Sequence, residues 1–363
     1  MPQPITIDFE TYFDSDYTLK KLTTEEYIRS NYFEAHGAAV LEQSDCTWES
    51  PKGLQERCEV WKSRQALGEQ LIFLAHHAHF DGLILSHHFD FYPDFWMCTL
   101  SMGRVVFDSG VKLSLEDLAS RLGLAPKSVP YDKFKGLHWH QLSNEVQQEV
   151  ATGACHDARL TFAAMQRMMT GGTEMVPYSF PASELPVIDM TVKMFTEPCL
   201  VGDLQLLGEA WTQENQDRCE LFRRLSEIVG EEITPQLLRK DQQFARLLEY
   251  LGVEPELKIT PKGNEKFAFA KSDYFMQDLV NDEDEDIALL AEARLKAQSS
   301  IYQTRCERLG FMATRGPMPV YLAYARAHTR RWGGGDKMNF QNFPRPNPAL
   351  PKKGALRRAI KAP

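Results

Sequence analysis

The sequence predicts an α/β domain, then a mainly α-helical region, then a short segment with strand candidates. Three observations carry this. Strand-like and helix-like apolar patterns mix over residues 1–172. From Leu185 onward long helical patterns take over. After Gly310 the helical period vanishes, and residues 311–363 are rich in Gly, Pro, Arg, Asn and Gln. The expected segments are therefore 1–172, 173–310 and 311–363.

The elements follow in order. Ile5, Ile7 and Phe9 alternate with Thr6, Asp8 and Glu10, the signature of a strand, and both acids share one face. Leu71 to Ala75 is a second strand, leading through His76 and His77 to a helix start at Ala78 to Leu85. Val105 to Asp108 reads as a short strand. Leu113 to Leu122 reads as an amphipathic helix capped by Ser114, with Gly123 near its end. Residues 144–169 keep a helical period that Gly171 and Gly172 stop. Helices are expected over 185–200, 203–229 and 234–251, with a loop at Pro255, Pro261 and Gly263. Two more are expected at Asp273 to Leu279 and Ile287 to Arg308, separated by the acidic loop 281–286. Strand candidates close the chain at 319–324 and 356–360.

Composition excludes several classes. With 43% hydrophobic and 25% charged residues, the 363-residue chain is ordinary for a globular protein and long enough for about two domains. No stretch approaches the ~20 apolar residues of a membrane helix, and no signal-peptide core opens it. Seven cysteines without a CxxC pair suggest scattered thiols in a reducing compartment, neither a disulfide framework nor a zinc ribbon. His76, His77, His79, His87 and His88 cluster, yet nothing completes a zinc signature. The net charge of −9 seems to disfavour nucleic acid, but it is unevenly spread. Residues 294–363 hold 15 Lys and Arg against Glu307 and Asp336, a charge of +13, and leave −22 on the rest. That basic segment, interleaved with Trp332, Phe340 and Phe343, suggests a polyanion-binding surface.

Asp8 and Glu10 project together, and Asp81 and Asp157 follow, one just after a strand and one on a helix. Four convergent carboxylates suit hard divalent ions, which prefer oxygen ligands. Two ions about 4 Å apart can hold the attacking water and the leaving oxygen of a phosphodiester. Ile7-Asp8-Phe9-Glu10-Thr11, then His77-Ala78-His79-Phe80-Asp81, then Asp157 to Thr161 resemble, in that order, the DEDD 3′–5′ exonucleases. The resemblance implies a ribonuclease H-like domain with a mixed sheet. It also implies Asp8, Glu10, Asp81 and Asp157 as catalytic metal ligands and two Mg²⁺ ions, with Mn²⁺ as a substitute. Two positions depart from the pattern. The Asn expected four residues before the second Asp is His77. The Tyr four before the third Asp, or His five before it, is Gly153 or Thr152. His77, His156 and Tyr131 are the candidate auxiliary groups, although His156 lies about 100° around the helix from Asp157. Tyr12 is a further candidate. Lys20, Lys21, Tyr12, Phe13 and Phe80 are candidates for holding terminal nucleotides.

The second half carries its own resemblance. Val187 to Pro198, Phe244 to Gly252, Lys258 to Asn264 and Ala293 to Arg305 resemble the connection and thumb of phage-type family A DNA polymerases. His328-Thr329-Arg330-Arg331-Trp332-Gly333-Gly334-Gly335-Asp336-Lys337-Met338-Asn339-Phe340-Gln341-Asn342-Phe343-Pro344-Arg345 resembles their template–primer segment at the start of the palm. By its chemistry, Arg331 with Asn339, Gln341 and Asn342 offers donors to minor-groove acceptors. Arg330, Lys337 and Arg345 offer phosphate contacts, and the glycines allow close backbone approach. The first polymerase Asp, the fingers and the second palm acid are absent from residues 1–363. The expectation is thus the amino-terminal part or one split chain of a DNA polymerase with proofreading. It would bind primer–template and a 3′ single-stranded end, lie in the cytoplasm, and pair with a second chain carrying the rest of palm and fingers. A stand-alone exonuclease and a non-catalytic DNA-binding component are the alternatives.

Overall fold

The computed structural model describes residues 3–107, 110–176, 178–345 and 354–362. They form two compact units: Met1–Val201 with Arg315–Phe343 and Ala362–Pro363, and Gly202–Thr314 with Pro344–Lys361. The segment expected at 311–363 is thus divided between them. Among the described residues no helix is long and apolar enough to cross a membrane.

The first unit opens with β1 (Ile5–Thr11), α1 (Thr24–Ile28), β2 (Ala35–Glu42), β3 (Asp45–Glu49), α2 (Pro51–Ala66), β4 (Ile72–Ala75), α3 (Ala78–His88) and β5 (Phe95–Cys98). The sheet is mixed, in the order β3-β2-β1-β4-β5. β1 runs antiparallel to β2 and parallel to β4, so it is central. A central strand is covered on both faces, and here Ile5, Ile7 and Phe9 are buried with Thr6 and Glu10 behind them. Ile7 and Phe9 join a core with Trp61, Phe73 and Leu83.

Next come α4 (Thr99–Val106), α5 (Leu115–Arg121), α6 (Tyr131–Phe134), α7 (Asn144–Thr170) and α8 (Leu185–Thr196). α7 covers the opposite face and packs against β1, β2 and β3. Ser114 caps α5 by accepting the Asp117 N–H, and Gly171 ends α7, as their sequences predict. The expected strand at 105–108 is instead the end of α4. Val105 and Val106 pack against the core from a helix, and tertiary packing outweighs their β-propensity. Asp108 lies outside the described residues.

The second unit begins at β6 (Val201–Gly202), which straddles the boundary, and contains α9 (Leu204–Val229), α10 (Pro235–Arg239), α11 (Asp241–Tyr250), β7 (Leu257–Ile259), β8 (Glu265–Phe267), α12 (Tyr274–Val280), α13 (Glu285–Gln298) and α14 (Ile301–Thr314). Two expected helices are each broken. Lys240 interrupts 234–251, and Ser299, extended at φ −129°, interrupts 287–308. α14 also continues past Gly310. Its core gathers Leu225, Phe244, Leu248 and Leu290. Arg294 is buried there, donating to Leu238 O and paired with Asp241, its guanidinium lying over the Phe244 ring.

The chain closes with β9 (Leu322–Ala323) and β10 (Gly333–Gly334), paired antiparallel, then α15 (Ala355–Arg358) and β11 (Ile360–Lys361). The strand expected at 356–360 is therefore mostly helix. Ala359 O accepts the Asp203 N–H, and Lys361 pairs with the Asp203 carboxylate. The residues 346–353 of the basic segment lie outside the described ones.

Candidate carboxylate centre and nucleic-acid interface

The sheet register builds the acidic centre. Asp8 pairs with Ala39 and Glu10 with Gly37, which puts both acids on the face that α7 covers. Asp81 sits in the first turn of α3, where its Oδ1 accepts the Phe9 N–H at 3.1 Å and ties α3 to the middle of β1. Asp157 is fully buried on α7. Three segments distant in sequence thus deliver four carboxylates to one place.

Their electrostatics show the closeness. Burial pushes Asp8 up to about 7, opposed by the Lys127 ammonium and assisted by Asp157. Burial, then the charge of Asp8, holds Glu10 well above the usual carboxylate range. The same two causes raise Asp81. Burial raises Asp157 as well, and Lys127 opposes it. Asp8 Oδ2 is buried without a hydrogen-bond partner. A buried acceptor in that condition is costly.

Lys127 is the residue that sequence reasoning missed. It belongs to the loop between α5 and α6, and its Nζ lies 3.2 Å from Asp157 Oδ2. The next N–H, of Ser128, donates to Asp157 Oδ1 at 3.3 Å. Lys127 also donates to Tyr131 Oη at 2.9 Å, and its ammonium sits 5.0 Å from the Tyr131 ring centre. Burial alone would lower this ammonium, but Tyr131, Asp8 and Asp157 together hold it above its usual value.

The loop explains Gly153. A Cβ there would lie 2.9 Å from Val129 Cα and 3.0 Å from Ser128 O. The backbone carrying Lys127 passes directly over α7, and no larger residue fits beneath it. This substitution was the one sequence signal that something approaches closely. Of the auxiliary candidates, Tyr131 is at the centre, and the charges of Glu10 and Asp8 act on its hydroxyl. His156 instead bonds Pro126 O at 2.9 Å, anchoring the same loop. His77, at φ +70°, bonds Tyr321 Oη at 2.8 Å. Tyr12 stacks on His138.

Beside Glu10 opens a cavity of about 480 Å³, lined by Phe13, Lys20, Phe80 and Tyr131 among others. Three of the residues expected to hold nucleotides therefore share one cleft. Lys21 pairs with Asp16.

The donor chemistry suits a hard divalent cation, but the placement of the donors does not. The donors are all oxygen, and the Asp8 acceptor is buried and unpartnered. Among the described residues, however, no group of three or more acids, histidines or cysteines is placed so that it could hold a metal ion. Next to Asp157 a cation is already present, in the form of Lys127.

The basic segment folds as a hairpin. Asp336 and Lys337, both at positive φ, make the two-residue turn that joins Gly335 to Met338. Arg330, Arg331, Lys337, Gln341 and Asn342 are exposed there, and Arg345 is exposed in the second unit. Arg331 Nε donates to Thr329 Oγ1, and Asn339 Oδ1 accepts the Gln341 N–H. Lys337 Nζ donates to Lys21 O. Two expectations are corrected. Trp332 is tied by its Nε1 to Thr191 Oγ1, and Phe343 is buried against Phe340, so these aromatics serve packing. The glycines make room for this chain's own side chains: a Cβ on Gly334 would meet Asn339 Cγ at 2.3 Å, and one on Gly335 would meet Tyr321 Cε1 at 2.3 Å.

Against known proteins, no family model matches the chain and no curated protein matches it significantly. Among solved structures it is similar to the POL domain of Pol1 from M. smegmatis in complex with DNA primer-template and dNTP, with a TM-score of 0.61 and 18% identity over 98% of this chain. The likeness is one of fold. The chain spans about half of that structure, 53% of its length.

Proposed function

We propose that the first unit carries a ribonuclease H-like 3′–5′ exonuclease centre of the DEDD type. We further propose that the 328–345 segment binds primer–template, as part of a family A polymerase acting in phage DNA replication. The observation that carries this is the meeting of Asp8, Glu10, Asp81 and Asp157 from three separate segments, with a buried acceptor left unpartnered. The likeness to a polymerase domain solved with primer-template supports the DNA ligand.

On this reading Asp8, Glu10, Asp81 and Asp157 are the candidate ligands of Mg²⁺ or Mn²⁺, although as placed here they do not form a group that could hold one. Such ions supply an activated water and charge stabilisation at the phosphodiester. The chain's own residues do the rest. Phe13 and Phe80 offer faces to the terminal bases of a 3′ single strand, and Lys20 offers a phosphate contact in the same cleft. Tyr131 lines the same cleft as Glu10 and would be the group that orients the attacking water. Acids for nucleotide addition would belong to polypeptide outside these residues, in the same frame or in a partner chain.

A second reading is a DNA-binding polymerase component with a weakened nuclease centre, and Lys127 among the acids favours it. One assay separates them. A 5′-labelled single strand incubated with the protein and Mg²⁺ or Mn²⁺ should shorten stepwise from its 3′ end. Asp8→Ala and Asp157→Ala should each lose about 100-fold or more of that activity. Shortening that survives Asp8→Ala would overturn the exonuclease reading, and binding without shortening would favour the second.

A further inference from the structure

We propose that Asp336 and Lys337 are positioning residues for the nucleotide cleft: through them, a duplex held at Arg330 and Arg331 fixes the cleft wall formed by Thr18, Leu19 and Lys20. This rests on the proposed function, with the cleft as the seat of a 3′ single strand and the basic segment as the duplex contact.

The wall is a short turn near the surface. Lys21 N–H and Leu22 N–H both donate to Thr18 O at 2.9 Å, and Leu19 and Lys20 are exposed at its tip. The Lys21–Asp16 pair beside it is largely in solvent and holds it weakly. The cleft is also lined by Tyr27, on α1. Residues 21–25 therefore join two parts of one wall, and whatever holds them sets both.

The turn of the basic hairpin holds them at two places. Lys337 Nζ donates to Lys21 O, 316 positions away in the chain and directly after the wall residues. Asp336 Oδ1 accepts the Thr24 N–H at 2.6 Å, and its Oδ2 accepts the Glu25 N–H at 3.3 Å, on the helix that carries Tyr27. The hairpin is itself seated. Arg326 Nη1 donates to Gly334 O at 3.1 Å, and Gly335 lies so close to Tyr321 that a Cβ would come within 2.3 Å of the ring. Arg330 and Arg331 are exposed on the loop that leads into this hairpin, a loop closed by the Ala327 N–H to Arg331 O at 3.1 Å. A duplex bound there restrains the hairpin, so its bonds to residues 21–25 open less often. By linkage, a single strand that orders the wall tightens the duplex by the same factor.

The test reads amide hydrogen exchange of the full chain in EDTA, where no nuclease reaction intervenes. A blunt duplex, which offers no single-stranded 3′ end to the cleft, is added at a concentration that saturates each protein by fluorescence anisotropy. On the wild type the amides of Lys21, Leu22, Thr24 and Glu25 should exchange about five-fold or more slower with duplex than without it. Lys337→Met and Asp336→Asn should each bind duplex yet lose most of that slowing, whereas Lys337→Arg, which keeps a donor, should retain it. Slowing that both variants preserve, or that is absent from a wild type with duplex bound, would overturn the inference and leave the DNA reading standing. A Lys337→Met protein that no longer binds duplex would make Lys337 a DNA contact in place of a positioning residue, and would overturn it too. A wild type that binds no duplex would overturn the reading beneath it. Lys337 is exposed, so Lys337→Met leaves the core untouched, and it decides alone should Asp336→Asn not fold by circular dichroism.

Discussion

Gly153 shows how one position can report on another. In most helices a glycine is a weakness, and Gly→Ala stabilises by about 1 kcal/mol through propensity. Here the added methyl would meet backbone, Val129 Cα at 2.9 Å and Ser128 O at 3.0 Å, and neither can rotate away. Overpacking of this kind costs about 1–3 kcal/mol. Gly153→Ala is therefore expected to lower stability in urea denaturation. It should also weaken the Lys127–Asp157 pair, because the loop must lift to admit the methyl. A stabilised Gly153→Ala protein would mean that the loop does not rest on α7. The same contact explains why the centre was only half legible. Its four acids could be read because residue type and spacing on β1, α3 and α7 carry the information. Lys127 could not, since its place depends on the path of an aperiodic loop, and only the missing Tyr at 153 hinted at it.

At the scale of elements, the hairpin of residues 333–338 is held to α1 by a single carboxylate. Asp336 Oδ1 accepts the Thr24 N–H at 2.6 Å, and Oδ2 accepts the Glu25 N–H at 3.3 Å. These are among the donors that a helix start leaves unsatisfied, and a negative charge there also suits the helix dipole. Arg315 pairs with Glu25 in the same region. Asp336 itself sits at φ +53°, a conformation that Asn tolerates and Ala does not. Two substitutions therefore separate the cap from the turn. Asp336→Asn should lose part of the cap, roughly 0.5–1 kcal/mol. Asp336→Ala should lose the cap and add strain, for roughly 2–3 kcal/mol in all. Equal losses in guanidinium melts would contradict this division of roles. Elements with strong local signals matched their sequences: the alternation in β1, the Ser114 cap of α5, the Gly171 stop of α7. Those that failed had their outcome fixed elsewhere. Val105 and Val106 form helix because the core receives them on that side, and the Ser299 break cannot be heard in a pattern whose apolar period runs on.

At the scale of the whole molecule, a net charge of −9 conceals a basic segment of +13. The structure divides that excess into charges already used and charges presented outward. Arg294 is buried against Asp241, Arg315 pairs with Glu25, and Lys361 pairs with Asp203. Arg330 and Arg331 are exposed at a loop that the Arg330 N–H closes onto Ala327 O at 2.7 Å. A surface of this kind binds a polyanion by releasing counterions. The logarithm of the binding constant for duplex then falls with the logarithm of salt by about 0.9 per phosphate neutralised. Arg330→Ala should lower the magnitude of that slope by about one and weaken binding alike on all sequences. Lys337→Ala should change it less, because the Lys337 ammonium is already committed to Lys21 O. Fluorescence anisotropy with a primer–template of two unrelated sequences, over a range of salt, reads both quantities. An Arg330→Ala slope equal to that of wild type would remove this loop from the interface, and a loss confined to one of the two sequences would show base reading in place of phosphate contact.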